Sequence, residues 1–508
     1  MNFTYEFLVP LVVVLPLIGA GLTVVAGRHT TLQRAISGTI LGSVVAVSAV
    51  LLYAADTQRI LTVRVGGWSV TEGVVLLVDR LSALMLLIST VVTFAVMLYS
   101  IGRGLASDDD EHDGGAPLPI FHPTLLVLSA GVSTTFVSAD LFHLYVGFEM
   151  LLFASFVLLT LGGTTERVRA GVNYVVVNLL SSLVFLVAIA MVYAATGTVN
   201  MARLAERLDQ IDKPTAMLLQ LMLLLGFSIK AAVFPMSSWL PDSYPTAPAP
   251  VTAVFAGLLT KVGIYAIIRT QVLLFPGSPL HGLLMWASLL TMVVGILGAV
   301  AQDDIKRMLS FTLVSHIGYM LFGVAVGNAA GLSAAIFYVA HHITIQTTLF
   351  LVTGLIEIRG GSTSLTRLGG LLVTAPGLAL LFFVPAMNLA GIPPLSGFLG
   401  KVGLMQAGAQ LGTPLAYALI AGSALTSLLT LYAVSRVWAR AFWRTPLEEP
   451  GQEPEKLTWG VVLPTTLLVV FGICLTLFGG PLFGVTDRAA ADLMARTPYL
   501  QAVLGGDR

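Results

Sequence analysis

Apolar runs of the length that a bilayer demands recur along this chain from Leu8 to Phe483, and they restrict its fold more than any other feature. A helix crossing the hydrocarbon core needs about 20 mostly apolar residues, and about fourteen runs of that kind are present. Inside lipid the backbone must satisfy its own polar groups, and runs of this length do so as helices. The expected fold class is therefore an all-α integral membrane protein. Of 508 residues, 56% are hydrophobic and 10% charged, against about 25% charged in a soluble domain. Almost nothing is left over for a soluble domain. The 26 basic and 26 acidic residues balance, so no basic field exists for nucleic acid, and the lipid bilayer is the first partner implied. The single cysteine, Cys474, excludes an intramolecular disulfide and reads as a packing residue. The first run, Leu8 to Ala26, lacks a basic leader and reads as a span.

Against this apolar background, lysines stand out. Between Gly226 and Arg269, Lys230 and Lys261 sit where helices should cross lipid. A charge at bilayer depth costs roughly 2.5–3.5 kcal/mol on insertion scales, so it faces a protein interior or a wet cavity and needs partners. The stretch between the two lysines carries Pro235, Pro241, Pro245, Pro248 and Pro250, which predicts a broken helix near residues 226–245. A second break is expected near 376–410, where Gly391, Pro393 and Pro394 precede Lys401. Matched interruptions in two halves mark a transporter's site. They divide the chain into a three-helix segment (1–120), two five-helix repeats (121–275 and 276–445), and a final helix near 458–482 with a short polar tail (446–508).

Other polar groups fall inside the spans. Glu149 has apolar residues on both sides for several turns and should pair in the interior, with Lys230 its natural partner; Asp140 marks the entrance of the same span. Asn173, Asn178, Ser181 and Ser182 give the next span a polar stripe suited to helix packing or a wet path. His316, His341 and His342 also fall in spans, and histidine alone titrates near neutral pH without help. Three of them between Lys261 and Lys401 favour proton transfer. The acidic run Ser107–Asp113 and the turn holding Asp303, Asp304, Lys306 and Arg307 read as solvated loops. Counting loop cations, with Arg269 assigned to a loop, favours both termini outside.

The segments LYVGFEM, GFSIKAAVFP, WLPD, GLLTKVGIYAIIR, AQDDIKRMLSFTLVSHIGY and LAGIPPLSGFLGK resemble the antiporter-like subunits shared by respiratory complex I and the Mrp-type multisubunit Na+/H+ antiporters. The likeness spans roughly residues 120–440 and is strongest to the D-subunit branch, on account of GLLTKVGIYAIIR, the paired histidines and a lysine at 401. It implies fourteen helices, with the two five-helix repeats inverted in topology and the seventh and twelfth helices interrupted. It also implies roles: Glu149 and Lys230 as a switching pair, Lys261 passing protons inward, His316 and His342 along a central axis, and Lys401 opening to the far side. Ser237 and Tyr244 stand where complex I relatives have histidines, His143 replaces a common asparagine, and Gln346 replaces a frequent lysine. Asp140, His143, Ser181, Ser182, Ser237, Asp242 and Gln346 form a candidate polar path.

The function implied is proton translocation within a cation (Na+)/proton antiporter of the plasma membrane, with a monovalent cation exchanged and other membrane subunits as partners. A proton-pumping subunit of complex I or of a membrane-bound hydrogenase is the alternative, and a non-transporting scaffold is a third. No enzyme is expected. One cysteine cannot hold an iron–sulfur cluster, and no zinc or nucleophile motif is present, so neither metal nor cofactor is expected.

Overall fold

The computed structural model describes residues 5–58, 60–104, 120–161, 163–445 and 455–505. The acidic run Ser107–Asp113 lies outside them. The spans in order are α1 (Leu11–Ala26), α2 (Thr30–Thr57), α3 (Arg80–Arg103), α4 (Phe121–Val137), α5 (Leu141–Thr160), α6 (Thr165–Thr196) and α7 (Lys213–Ala231). Then follow α8 (Ala249–Leu274), α9 (His281–Val300), α10 (Ile305–Val326) and α11 (Ala329–Gly360). The broken α12 (Pro376–Ala390 and Ser396–Leu411), α13 (Pro414–Val437) and α14 (Trp459–Leu477) complete the set of fourteen among the described residues. A small hairpin pairs β1 (Leu61–Arg64) with β2 (Val75–Val78) between α2 and α3.

Local chemistry explains where these helices start. Asp79, Asp140, Asp304 and Asn328 precede α3, α5, α10 and α11, and each side chain accepts a hydrogen bond from a first-turn amide. That satisfies a donor the helix leaves free. The two interruptions fall where the prolines cluster. The chain leaves α7 at Ala232 and turns helical again only at Trp239–Ser243, and α12 is parted between Ala390 and Ser396. A third irregularity is a π-helical turn at Phe255–Leu259, one turn before Lys261.

Burial divides the bundle. The apolar windows of α8 and α11 are completely buried and that of α10 nearly so, whereas α1, α2, α6 and α13 turn most of theirs outward. The outward faces carry Leu, Val and Phe, as lipid-facing surfaces must. Helix α11 packs against α3, α8, α10, α12 and α14 and forms the axis of the molecule.

Three expectations need correction. The segment after α14 is not a loose polar tail: α15 (Gly479–Ala495) and α16 (Thr497–Leu504) fold back over the bundle and bury Ala489, Ala490, Leu493 and Tyr499. Glu6 and Gln501 line one cavity, so both ends of the described chain share a face, termed here the terminal face. Arg269 is not a loop cation. It lies buried in α8, which removes one count from the charge tally. The Asp303–Arg307 turn is tied down rather than merely solvated: Lys306 pairs with Glu357 at 2.7 Å, Arg436 with Asp303 at 2.8 Å, and Arg307 with Asp242 at 2.9 Å.

Candidate functional site

The three membrane lysines all point into protein, and none forms an ion pair with a carboxylate among the described residues. Lys230 ends α7 and turns toward α6, where Nζ donates to Ser182 Oγ at 3.2 Å and to the Asn178 carbonyl at 3.4 Å. Lys261 follows the π-helical turn, and Nζ donates at 2.5 Å to the Ala256 carbonyl within it. Lys401 sits on the second half of α12 and reaches back to the carbonyls of Leu389 and Ala390, at 3.1 and 2.9 Å, which end the first half. Lys261 and Lys401 thus each bond to carbonyls at an irregularity in their own helix. Gly391, in left-handed conformation with φ +85°, clears the space that the Lys401 side chain occupies.

Glu149 departs from expectation. It is half-buried on α5 and does not pair with Lys230; its Oε1 has no hydrogen-bond partner among the described residues. The two make no ion pair within 4 Å, and Lys230 is hydrogen-bonded to α6, though Glu149 lies near enough for its charge to act on that lysine. Ser181 bridges α6 and α7 by donating to the Gly226 carbonyl at 2.9 Å. Helices α7 and α8 meet closely at Gly263, where a Cβ would lie 2.9 Å from the Ala231 nitrogen. This contact brings the end of α7, with Lys230, beside the helix carrying Lys261.

Between Lys261 and Lys401 stands a fully buried cluster of rings. His316 on α10 and His342 on α11 have ring centroids 5.0 Å apart. His316 Nδ1 and the Tyr338 hydroxyl are 2.8 Å apart, and the Tyr338 ring lies 5.3 Å from that of His341. His341 Nδ1 is 2.9 Å from Ser396 Oγ, which in turn bonds Asn388 Oδ1 at 3.2 Å. Lys401 lies 4.9 Å over the Tyr319 ring. Gln346 faces α10 and donates to the Leu309 carbonyl at 2.8 Å. A neutral imidazole both donates and accepts, so a chain of histidines and hydroxyls is suited to handing protons along.

The remaining polar-path candidates do not join this axis. Asp140 caps α5 at the terminal face, where burial pushes its carboxyl up to about 6. His143, one turn on, has Nδ1 3.0 Å from Ser138 Oγ. Asp242 lies at the opposite face in the Arg307 ion pair. Ser237 is buried in the gap between α7 and the short helix holding Pro241. Pro235 lies in the same gap, and Pro393 and Pro394 in that of α12.

Sequence reasoning missed Tyr319, Tyr338, Ser396 and Asn388, which connect the histidines to α12. Tyr338 stands one helical turn from His341 and His342, a spacing that could have flagged it. Also missed was a buried pair at the terminal end of α8, where Arg269 meets Asp79 at 2.5 and 2.9 Å. Burial alone would raise the Asp79 pKa, but the Arg269 guanidinium outweighs it and holds that carboxyl below the usual range.

Known proteins resemble this chain in sequence and fold. Residues 138–429 match the family model described as NADH:quinone oxidoreductase/Mrp antiporter, transmembrane region, and residues 65–102 match the N-terminal model of complex I chain 5. The chain is 36% identical to the Na+/H+ antiporter D-subunit of Alkalihalophilus pseudofirmus, over 98% of this chain and 99% of that one. It is 34% identical to the corresponding D-subunit of Bacillus subtilis, over 97% and 98%. A chain in the structure of the Mrp complex from Dietzia superimposes with a TM-score of 0.90 at 30% identity, covering 99% of this chain and all of that one. With a helical bundle, two broken helices and near-complete alignment in agreement, this chain belongs to the NADH:quinone oxidoreductase/Mrp antiporter family, within its D-subunit branch of cation/proton antiporters, and is hence a transporter component rather than an enzyme.

Proposed function

We propose that this chain carries the proton limb of Na+/H+ exchange, with protons passing from Lys230 to Lys261, through His316, Tyr338, His342 and His341, to Lys401. The observation behind this reading is the buried cluster of imidazoles and hydroxyls between two lysines that have carbonyls, not carboxylates, as partners. A lysine fixed by a carboxylate holds its proton; a lysine held by dipoles can give it up. Glu149 acts on the first of them as a switch. When it approaches Lys230 the proton is held, and when the pair opens the proton moves on to Lys261. Gln346 carries no charge, so the middle of the relay rests on the histidines. The metal cation crosses in a partner subunit or at an interface, since a lysine-lined path repels cations. The chain works in the cell membrane beside the other membrane subunits of its complex.

The test is Na+-dependent proton movement in everted vesicles from antiporter-deficient cells carrying the whole gene cluster. Lys230→Ala and Glu149→Ala should abolish exchange, and Glu149→Asp should keep part of it. Near wild-type exchange with Lys230→Ala in an assembled complex overturns the scheme.

A further inference from the structure

Lys261, Tyr265 and Arg269 succeed one another at four-residue steps on α8, so they form one polar stripe running from the centre of the relay toward the terminal face. All three are buried, as are Asp79, Ser82 and Tyr499 at the far end of the stripe. Lys261 Nζ is held by the Ala256 carbonyl, and no hydrogen bond joins it to Tyr265 among the described residues; were it to swing toward Tyr265, this buried polar stripe would be a path by which protons escape without exchange. We infer that Arg269, clamped by Asp79, is the plug that closes this path and keeps protons at Lys261 on course for Lys401.

The hydrogen bonds support the assignment. Arg269 Nη2 donates to the Tyr265 hydroxyl at 3.1 Å and to Ser82 Oγ at 3.0 Å, while Tyr265 donates to the Phe136 carbonyl at 2.8 Å. A proton travelling outward needs an acceptor at every step. Guanidinium has five donors, no acceptor and a charge it does not lose, so no proton passes through it, and its charge also opposes the flanking route in which the Tyr265 hydroxyl lies 3.0 Å from Ser82 Oγ beside Asp79. A fixed arginine likewise bars protons and cations in membrane pores. Asp79 does not cancel the barrier, because its carboxylate also caps α3, accepting from the Ser82 amide at 2.9 Å, and shares its charge with that helix's positive end. From the terminal face, α16 covers the pair: the Arg269 guanidinium carbon lies 5.4 Å from the Tyr265 ring and 5.4 Å from that of Tyr499.

This inference rests on the proposed role of Lys261, and the experiment separates the two. The whole complex is reconstituted in liposomes, a pH gradient is imposed without Na+, and its decay is followed. Arg269→Gln alone strands a buried Asp79 and endangers assembly, so the informative variant is Asp79→Asn with Arg269→Gln, which removes both charges but keeps polar side chains. The expected result is a co-purifying complex whose gradient collapses several-fold faster than wild type. Arg269→Lys, which keeps a positive charge, should hold the gradient. Adding Lys261→Met to the double variant should return decay to the wild-type rate, since protons reach the stripe through Lys261; a purely structural role would not show that dependence. An assembled double variant with wild-type decay, or a leak indifferent to Lys261, overturns the plug. Wild-type Na+/H+ exchange in Lys261→Met alone would instead overturn the relay, and the plug with it.

Discussion

Two cations stand two turns apart on α8, both completely enclosed, and they are handled in opposite ways. Arg269 has a carboxylate, a serine, a tyrosine hydroxyl and two aromatic rings around it. Lys261 has one backbone carbonyl, that of Ala256 within the π-helical turn. Arginine matches a carboxylate in two-pronged geometry and never gives up its proton, whereas lysine is a single point charge whose proton affinity follows its surroundings. The same helix therefore carries a charge that joins α3 to α8 through a carboxylate and a second charge held by a backbone carbonyl alone. Burial does not separate the two; partners do.

Three substitutions would break or sharpen this contrast. The largest effect is expected from Asp79→Ala. It leaves Arg269 buried without its carboxylate, and breaking a buried pair on one side costs about 3–5 kcal/mol, so complex assembly and exchange should both fail. Co-purification of the subunits measures this, and an intact complex would mean that the pair is dispensable. Next comes Lys261→Met, which should eliminate Na+-driven proton movement while the subunits still co-purify, because a lysine without a carboxylate partner leaves no charge stranded when removed. Loss of assembly there would make Lys261 a structural cation like Arg269. The smallest effect is expected from Tyr338→Phe. It deletes one hydrogen bond to His316, about 1 kcal/mol, and should slow exchange roughly fivefold by the usual conversion of 1.4 kcal/mol per factor of ten. Steady-state exchange rates in everted vesicles resolve this, and an unchanged rate would take Tyr338 out of the path.

Much of this molecule was legible in its residues. Run length alone predicted about fourteen spans, since hydrocarbon thickness sets how many apolar residues a crossing needs. Proline and glycine marked both helix breaks to within a few residues, because they act on the backbone locally whatever packs around them. The lysines and histidines were conspicuous because polar groups are so costly in lipid. Reading failed where a decision depended on partners distant in the chain. Glu149 was paired with Lys230 by charge, and its charge does act on that lysine, but the hydrogen bonds of Lys230 go to Ser182 and Asn178 on α6. Arg269 was placed in a loop because it follows an apolar run, and its carboxylate is 190 positions away at Asp79. The segment after α14 read as a polar tail because its buried residues are few and spaced on one face, and only docking onto α11 and α3 gives that face its purpose.

The sequence by itself therefore determined the membrane class, the number of crossings, the positions of the breaks and the enclosure of Lys230, Lys261 and Lys401, since each follows from local composition and the cost of polarity in hydrocarbon. Only the tertiary structure decided which enclosed cation received a carboxylate and which received a carbonyl, because that depends on which helices the packing of α11 brings side by side.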